Sequence, residues 1–198
     1  MNTKLIKTKV FFIILIIVSL FSQIAYAKSD TFRSLLNSAL KFYIERDYSS
    51  VLEELEKASL MMRNLAPLKK EALLFCESID MFAKYTPREN NVFRIGEEFL
   101  IYFQPGNYSL LKTKDGWEIN LREYFEIYDE KGKLVKKMEA PLDFHTVLFS
   151  PLTTGLYFKN SDKVPERVGK YILKIVLEDF IKGKKLEAEL PFEVVLGK

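Results

Sequence analysis

The chain has 198 residues, 30 basic against 27 acidic side chains and 48% hydrophobic residues, enough apolar material for a buried core. A single cysteine and a single histidine exclude an internal disulfide and a histidine-rich metal site.

Met1 to Ala27 reads as a secretory signal peptide. Lys4, Lys7 and Lys9 make a positive start, Val10 to Phe21 is an apolar run broken only by Ser19, and Ala25-Tyr26-Ala27 supplies the small-x-small cleavage pattern. Cleavage after Ala27 starts the mature chain at Lys28, in a bacterial periplasm or secreted. The apolar run is shorter than the roughly 20 residues a membrane-spanning helix needs. No cysteine follows the cleavage point to carry a lipid, so no stable membrane anchor is expected. Three basic residues leave with the signal and no acidic one does, so 27 face 27 in the mature chain. A neutral chain lacks the overall field that draws proteins to phosphate backbones, so nucleic acid is not an expected partner.

Residues 28–86 read as helical. Between Thr31 and Tyr85 there is no glycine and one proline, Pro67. Phe32, Leu35, Leu36, Ala39, Phe42 and Tyr43 recur at helical spacing, as do Val51, Leu52, Leu55, Ala58, Met62 and Leu65, and then Leu68, Ala72, Phe75, Cys76, Ile79 and Phe82. The spacing thus predicts three amphipathic helices. Ser50 with Glu53 has capping-box spacing for the second, with Asp47 as the alternative cap. Pro67 suits the first turn of the third, where its missing amide hydrogen is no loss.

Leu35, Ala39, Phe42, Asp47, Tyr48, Val51, Leu55 and Ala58 fall at the signature spacing of a tetratricopeptide repeat, which this segment resembles over about one 34-residue unit. The resemblance implies a helical hairpin that binds proteins. Stacked repeats need at least about three units for stability, so the apolar stripe has to close on a third helix, dock on the rest of the chain or receive a partner.

From residue 90 the pattern changes to short alternating runs, and all eight glycines lie from Gly96 onward. Phe99 to Gln104 and Trp117 to Tyr128 alternate apolar with polar residues, except that Glu123 falls on the apolar side, which suggests a bulge or a break. Asp129-Glu130-Lys131-Gly132 leads into Leu134 to Met138 as a hairpin. Tyr171 to Phe180 and Leu186 to Val194 form another through Lys182-Gly183, with Pro191 marking a sheet edge. Val168 to Lys174 resembles the tyrosine corner, and Trp117 the core tryptophan, of immunoglobulin-like and fibronectin type III-like domains. The resemblance implies an antiparallel sandwich of about seven strands over residues 90–198, without the inter-sheet disulfide. The expected fold class is therefore α+β in two parts, a three-helix segment followed by a β-sandwich.

No catalytic constellation is legible. His145 is alone, Cys76 falls on an apolar stripe, and there is no Walker loop, dinucleotide-binding glycine pattern, nucleophile elbow or calcium loop. No cofactor or metal is expected, and the chain reads as non-enzymatic. Recognition remains, with Tyr124 and Tyr128 on the polar face of their strand and Tyr157 and Phe158 beside the loop bearing Pro151, Thr153, Thr154 and Gly155 as candidate binding residues. The leading expectation is an exported protein that binds another envelope or secreted protein. Its alternatives are a glycan- or cell-wall-binding module using the sandwich aromatics, and a periplasmic chaperone that works by strand addition.

Overall fold

The computed structural model describes residues 30–151 and 155–197. The signal segment with Ala25 and Ala27, and Thr153 and Thr154 of the loop, lie outside the described residues. The chain divides into two compact units between Met62 and Arg63.

The first unit is a helical hairpin of α1 (residues 30–44) and α2 (Tyr48–Leu65), whose last turn belongs to the second unit. Asp47 rather than Ser50 caps α2. Its Oδ1 accepts the Ser50 amide at 3.2 Å and its Oδ2 the Ser50 hydroxyl at 2.6 Å, satisfying an amide that the helix leaves unpaired. The hydroxyl bond and then the amide bond hold the Asp47 carboxyl below its usual range. Arg46 turns the chain with a φ of 62°.

The third helix is not formed. Lys69–Met81 is the long strand β1, so the three-helix, tetratricopeptide-like reading is wrong. Ala72-Leu73-Leu74-Phe75-Cys76 is a continuous apolar run, which periodicity alone cannot assign to a helix or to a strand covered on both faces. The second case holds: Leu73 and Phe75 pair with Phe103 and Ile101 on the inner face, and Ala72 and Leu74 with Gln104 and Tyr102 on the outer.

Among the described residues the second unit holds eleven strands in two sheets, which replaces the expected seven-stranded immunoglobulin-like sandwich. After β1 come β2 (Lys84–Pro87), β3 (Val92–Arg94), β4 (Glu98–Gly106), β5 (Leu111–Lys112), β6 (Trp117–Asp129) and β7 (Leu134–Lys137). They are followed by β8 (Leu142–Leu148), β9 (Phe158–Lys163), β10 (Gly169–Asp179) and β11 (Lys184–Val195). The smaller sheet has the order β2-β1-β4-β9, and the larger runs β3-β11-β10-β6-β5. Strands β7 and β8 pair with opposite halves of β6, at 126–128 and 117–123. Pairing is antiparallel except between β3 and β11. That parallel pairing starts at Glu193, so Pro191 has a strand only on its β10 side, and its nitrogen falls on the other side with that of Glu193, where no ladder is broken.

The tyrosine tie does exist, the Tyr171 hydroxyl donating to Arg167 O at 2.8 Å. Trp117 is no core residue, however. It is half-buried at the start of β6, its ring 4.9 Å from the Lys112 ammonium.

Phenylalanines close the space between the sheets. The Phe75 ring of β1 meets Phe93 at 4.9 Å, Phe192 at 5.7 Å and Phe99 at 6.0 Å, and Phe99 meets Phe125 at 5.6 Å. Edge-on contacts of this kind add to the gain from burial. Truncating Phe75 to alanine removes the ring common to three of these contacts. The expected cost is about 3–5 kcal/mol in chemical denaturation.

Candidate functional site

The hairpin carries the most conspicuous apolar surface among the described residues. Of its side chains only Ala39 and Ala58 are buried apolar groups, the small residues that let two helices approach. Leu36, Leu40, Tyr43 and Ile44 follow one another at helical spacing along α1, and Tyr48, Leu52 and Leu55 do so along α2. All seven are exposed, Leu40 at 59%, Ile44 at 73% and Leu52 at 69%. The stripes join at the turn, where the Tyr43 and Tyr48 rings meet edge-on at 6.2 Å. Single exposed apolar residues are commonplace, but a continuous strip marks a surface that binds something. Leu36, Tyr43, Leu52 and Leu55 belong to the stripes read from sequence. Leu40, Ile44 and Tyr48 do not, although four-residue steps from Leu36 reach Leu40 and Ile44.

The candidate aromatics fall into two environments. Tyr124 and Tyr128 lie half-buried on the outer face of the larger sheet, beneath cations of that same sheet. Lys137 Nζ is 5.1 Å from the Tyr124 ring centroid and Lys174 Nζ 5.3 Å from that of Tyr128. The Tyr128 hydroxyl donates to Glu126, and that bond, with burial second, pushes its pKa up to about 12. Tyr157 stacks on Tyr102 at 5.3 Å, and Tyr102 lies 4.2 Å from Tyr85. Phe158 is buried between Phe103 and Phe144. These four aromatics are not brought together into one surface.

The titratable groups that carry chemistry elsewhere have structural surroundings here. His145 Nε2 lies 2.9 Å from Glu118 Oε1 on the outer face of the sheet. Cys76 is buried, which raises its thiol pKa. Lys184, at the start of β11, donates to Asn107 O at 2.7 Å and to Arg63 O at 3.0 Å. Burial pulls its pKa down. Asp179, fully enclosed, accepts the Ser109 amide at 2.7 Å and the Ile181 amide at 3.0 Å, which fixes the β10–β11 turn.

Glu123 is neither a bulge nor a break. Strand β6 runs through it unbroken, and its carboxyl enters the core to accept a bond from Asn160 Nδ2 on β9 at 3.0 Å. Glu123 Oε2 and Asn160 Oδ1 find no further partner among the described residues. Both side chains are sealed from solvent, so no substrate reaches the carboxyl.

No family model matches this chain, and no curated protein matches it. Among solved structures it is similar to the Pseudomonas fluorescens alkylpurine DNA glycosylase AlkC bound to DNA containing an abasic site analogue, at 13% identity and a TM-score of 0.37. The alignment covers 73% of this chain and 36% of that one, so the chain spans about a third of the glycosylase's length. A likeness of that size carries no argument about chemistry.

Burial raises the Glu123 pKa to about 7, with the Asn160 bond acting in the opposite direction. The folded state then holds a proton between pH 4.5 and 7 that the unfolded state has released, so this residue's contribution to stability falls as pH rises through that window and then levels off. The drop is about 3 kcal/mol at most. Denaturation midpoints across that window should decline for the native sequence, and Glu123→Gln should flatten the decline.

Proposed function

We propose that this chain is an exported, non-enzymatic protein that binds another envelope or secreted protein through the apolar strip of its helical hairpin. The observation that carries this reading is the strip itself, seven large apolar side chains joined across the turn by Tyr43 and Tyr48. Burying such a strip against a partner gains roughly 25 cal/mol for each Å² of apolar surface removed from water. The signal-like start of the sequence gives the compartment. The glycan reading has less support, because Lys137 and Lys174 lie over the tyrosine rings that a sugar would stack on.

Mass spectrometry of the exported protein should find Lys28 as the first residue, and retention of residues 1–27 would remove the compartment from this reading. A photo-reactive side chain at position 40 or 52 should crosslink to one discrete envelope protein, and the same group at Glu53 should not. Leu40→Glu with Leu52→Glu should weaken that partner's binding by at least about thirtyfold, the size expected for central apolar anchors. Equal crosslinking from positions 40 and 53 would overturn the assignment.

A further inference from the structure

A cleft of about 920 Å³ opens in the second unit between β7 and the chain that leaves β9. Its walls include four consecutive residues, Lys133-Leu134-Val135-Lys136, and five more, Lys163-Val164-Pro165-Glu166-Arg167. Successive side chains of an extended strand point to opposite faces. In β7 the alternation is broken by a bulge: Leu134 pairs with Tyr128 and Lys136 with Ile127, so Val135 is the extra residue and neighbouring side chains border the same cleft.

The edge of β7 away from β6 has no strand partner among the described residues, and Lys136 Nζ reaches across the cleft to donate to Lys163 O at 2.8 Å. The edge is also set in place before anything binds. Asp129 Oδ1 accepts the amides of Lys131 and Lys133, both at 2.9 Å, and Gly132 turns with a φ of 76°.

The charge on this cleft is one-sided. Lys136 is neutralised by Asp162 at 2.7 Å. Lys133, Lys163 and Arg167 make no ion pair among the described residues, and Glu166 is the lone acid of the lining. Between the cations, Ile95, Leu134 and Val135 are exposed.

We propose that this cleft binds an extended acidic peptide segment of another protein, which adds to β7 as a strand and sets its carboxylates against Lys133, Lys163 and Arg167. Strand addition uses the unpaired amides and carbonyls of the edge, and alternate side chains of the guest supply the selectivity. A second copy of this chain is a poor occupant, because pairing β7 with β7 opposes lysine-rich edges. An anionic glycan would meet the cations but leave the edge and the apolar side chains unused. The site is formed by residues of the second unit alone and does not depend on the helical strip.

The test uses the mature exported chain and a fluorescein-labelled heptapeptide of alternating glutamate and valine, read by polarisation. Binding should weaken with salt. It should fall at least about tenfold in Lys133→Glu with Arg167→Glu at an unchanged melting temperature. It should fall comparably for the same peptide methylated on its backbone nitrogens, and should be unchanged in Leu52→Glu. Undiminished binding of the methylated peptide would overturn strand addition without requiring any altered protein. Loss of binding in Leu52→Glu would move the peptide to the hairpin and overturn the cleft. Polygalacturonate binding that depends on Lys133 and Arg167, with no binding of the peptide, would give the cleft to a glycan and overturn the proposal.

Discussion

Phe75 ties the second unit together. Its ring touches Phe99 of its own sheet and Phe93 and Phe192 of the other, so the position of β1 fixes how the sheets face each other. Everything placed around it follows from that register. Leu73 and Phe75 against Phe103 and Ile101 put Tyr102 on the outer surface of the smaller sheet, where it stacks between Tyr85 and Tyr157. The aromatic candidates read from sequence are thus divided three ways, among the inter-sheet core, a second apolar layer outside the smaller sheet, and the outer face of the larger sheet that holds Tyr124 and Tyr128. Phe158 belongs to the first and Tyr157 to the second.

A core this rich in aromatics also hosts two acids, handled in opposite ways. Asp179 is surrounded by donors, the amides of Ser109, Ile181 and Lys182 and the more distant Lys184 ammonium at 4.0 Å. These donors satisfy the buried oxygens, which would be costly to leave unpaired. Glu123 has one donor, Asn160, and one neutral hydrogen bond does not offset the loss of water, so the carboxyl shifts toward its neutral form. Both acids act on the architecture, the first by closing a turn and the second by linking strands of different sheets.

Sheet edges decide what the surface offers. Strand β6 is long enough to carry β7 and β8 end to end along one side, which leaves the short β7 with an unpaired edge. Lysines along such an edge bar association with like-charged strands, and the same lysines favour a guest of opposite charge. The helical hairpin offers the contrasting kind of surface, apolar and continuous, suited to burial rather than to backbone pairing.

Several elements were legible in the chain. The stripes of α1 and α2, Asp47 as the alternative cap of α2, the alternation along β4, β6 and β11, the hairpins at Gly132 and Gly183 and the Tyr171 tie are local patterns, set by φ preference, period and nearby hydrogen bonds. Part of the amphipathic strip of the hairpin was legible too, namely Leu36, Tyr43, Leu52 and Leu55, while Leu40, Ile44 and Tyr48 were not. Lys69–Met81 was not, because an apolar run covered on both faces has no period, and its helix-like spacing yielded to pairing with β4. Glu123 likewise looked like an interruption until Asn160, 37 residues on, supplied its partner. The cleft joins residues 95–96, 133–136 and 163–167, distant stretches that only sheet register brings together. The sequence by itself determined local form and the apolar face of each helix, since these depend on neighbours a few residues apart. Tertiary structure alone decided which acids are sealed, which aromatics are spent in the core and which strand edge stays open, because each of these depends on the partner that long-range pairing supplies.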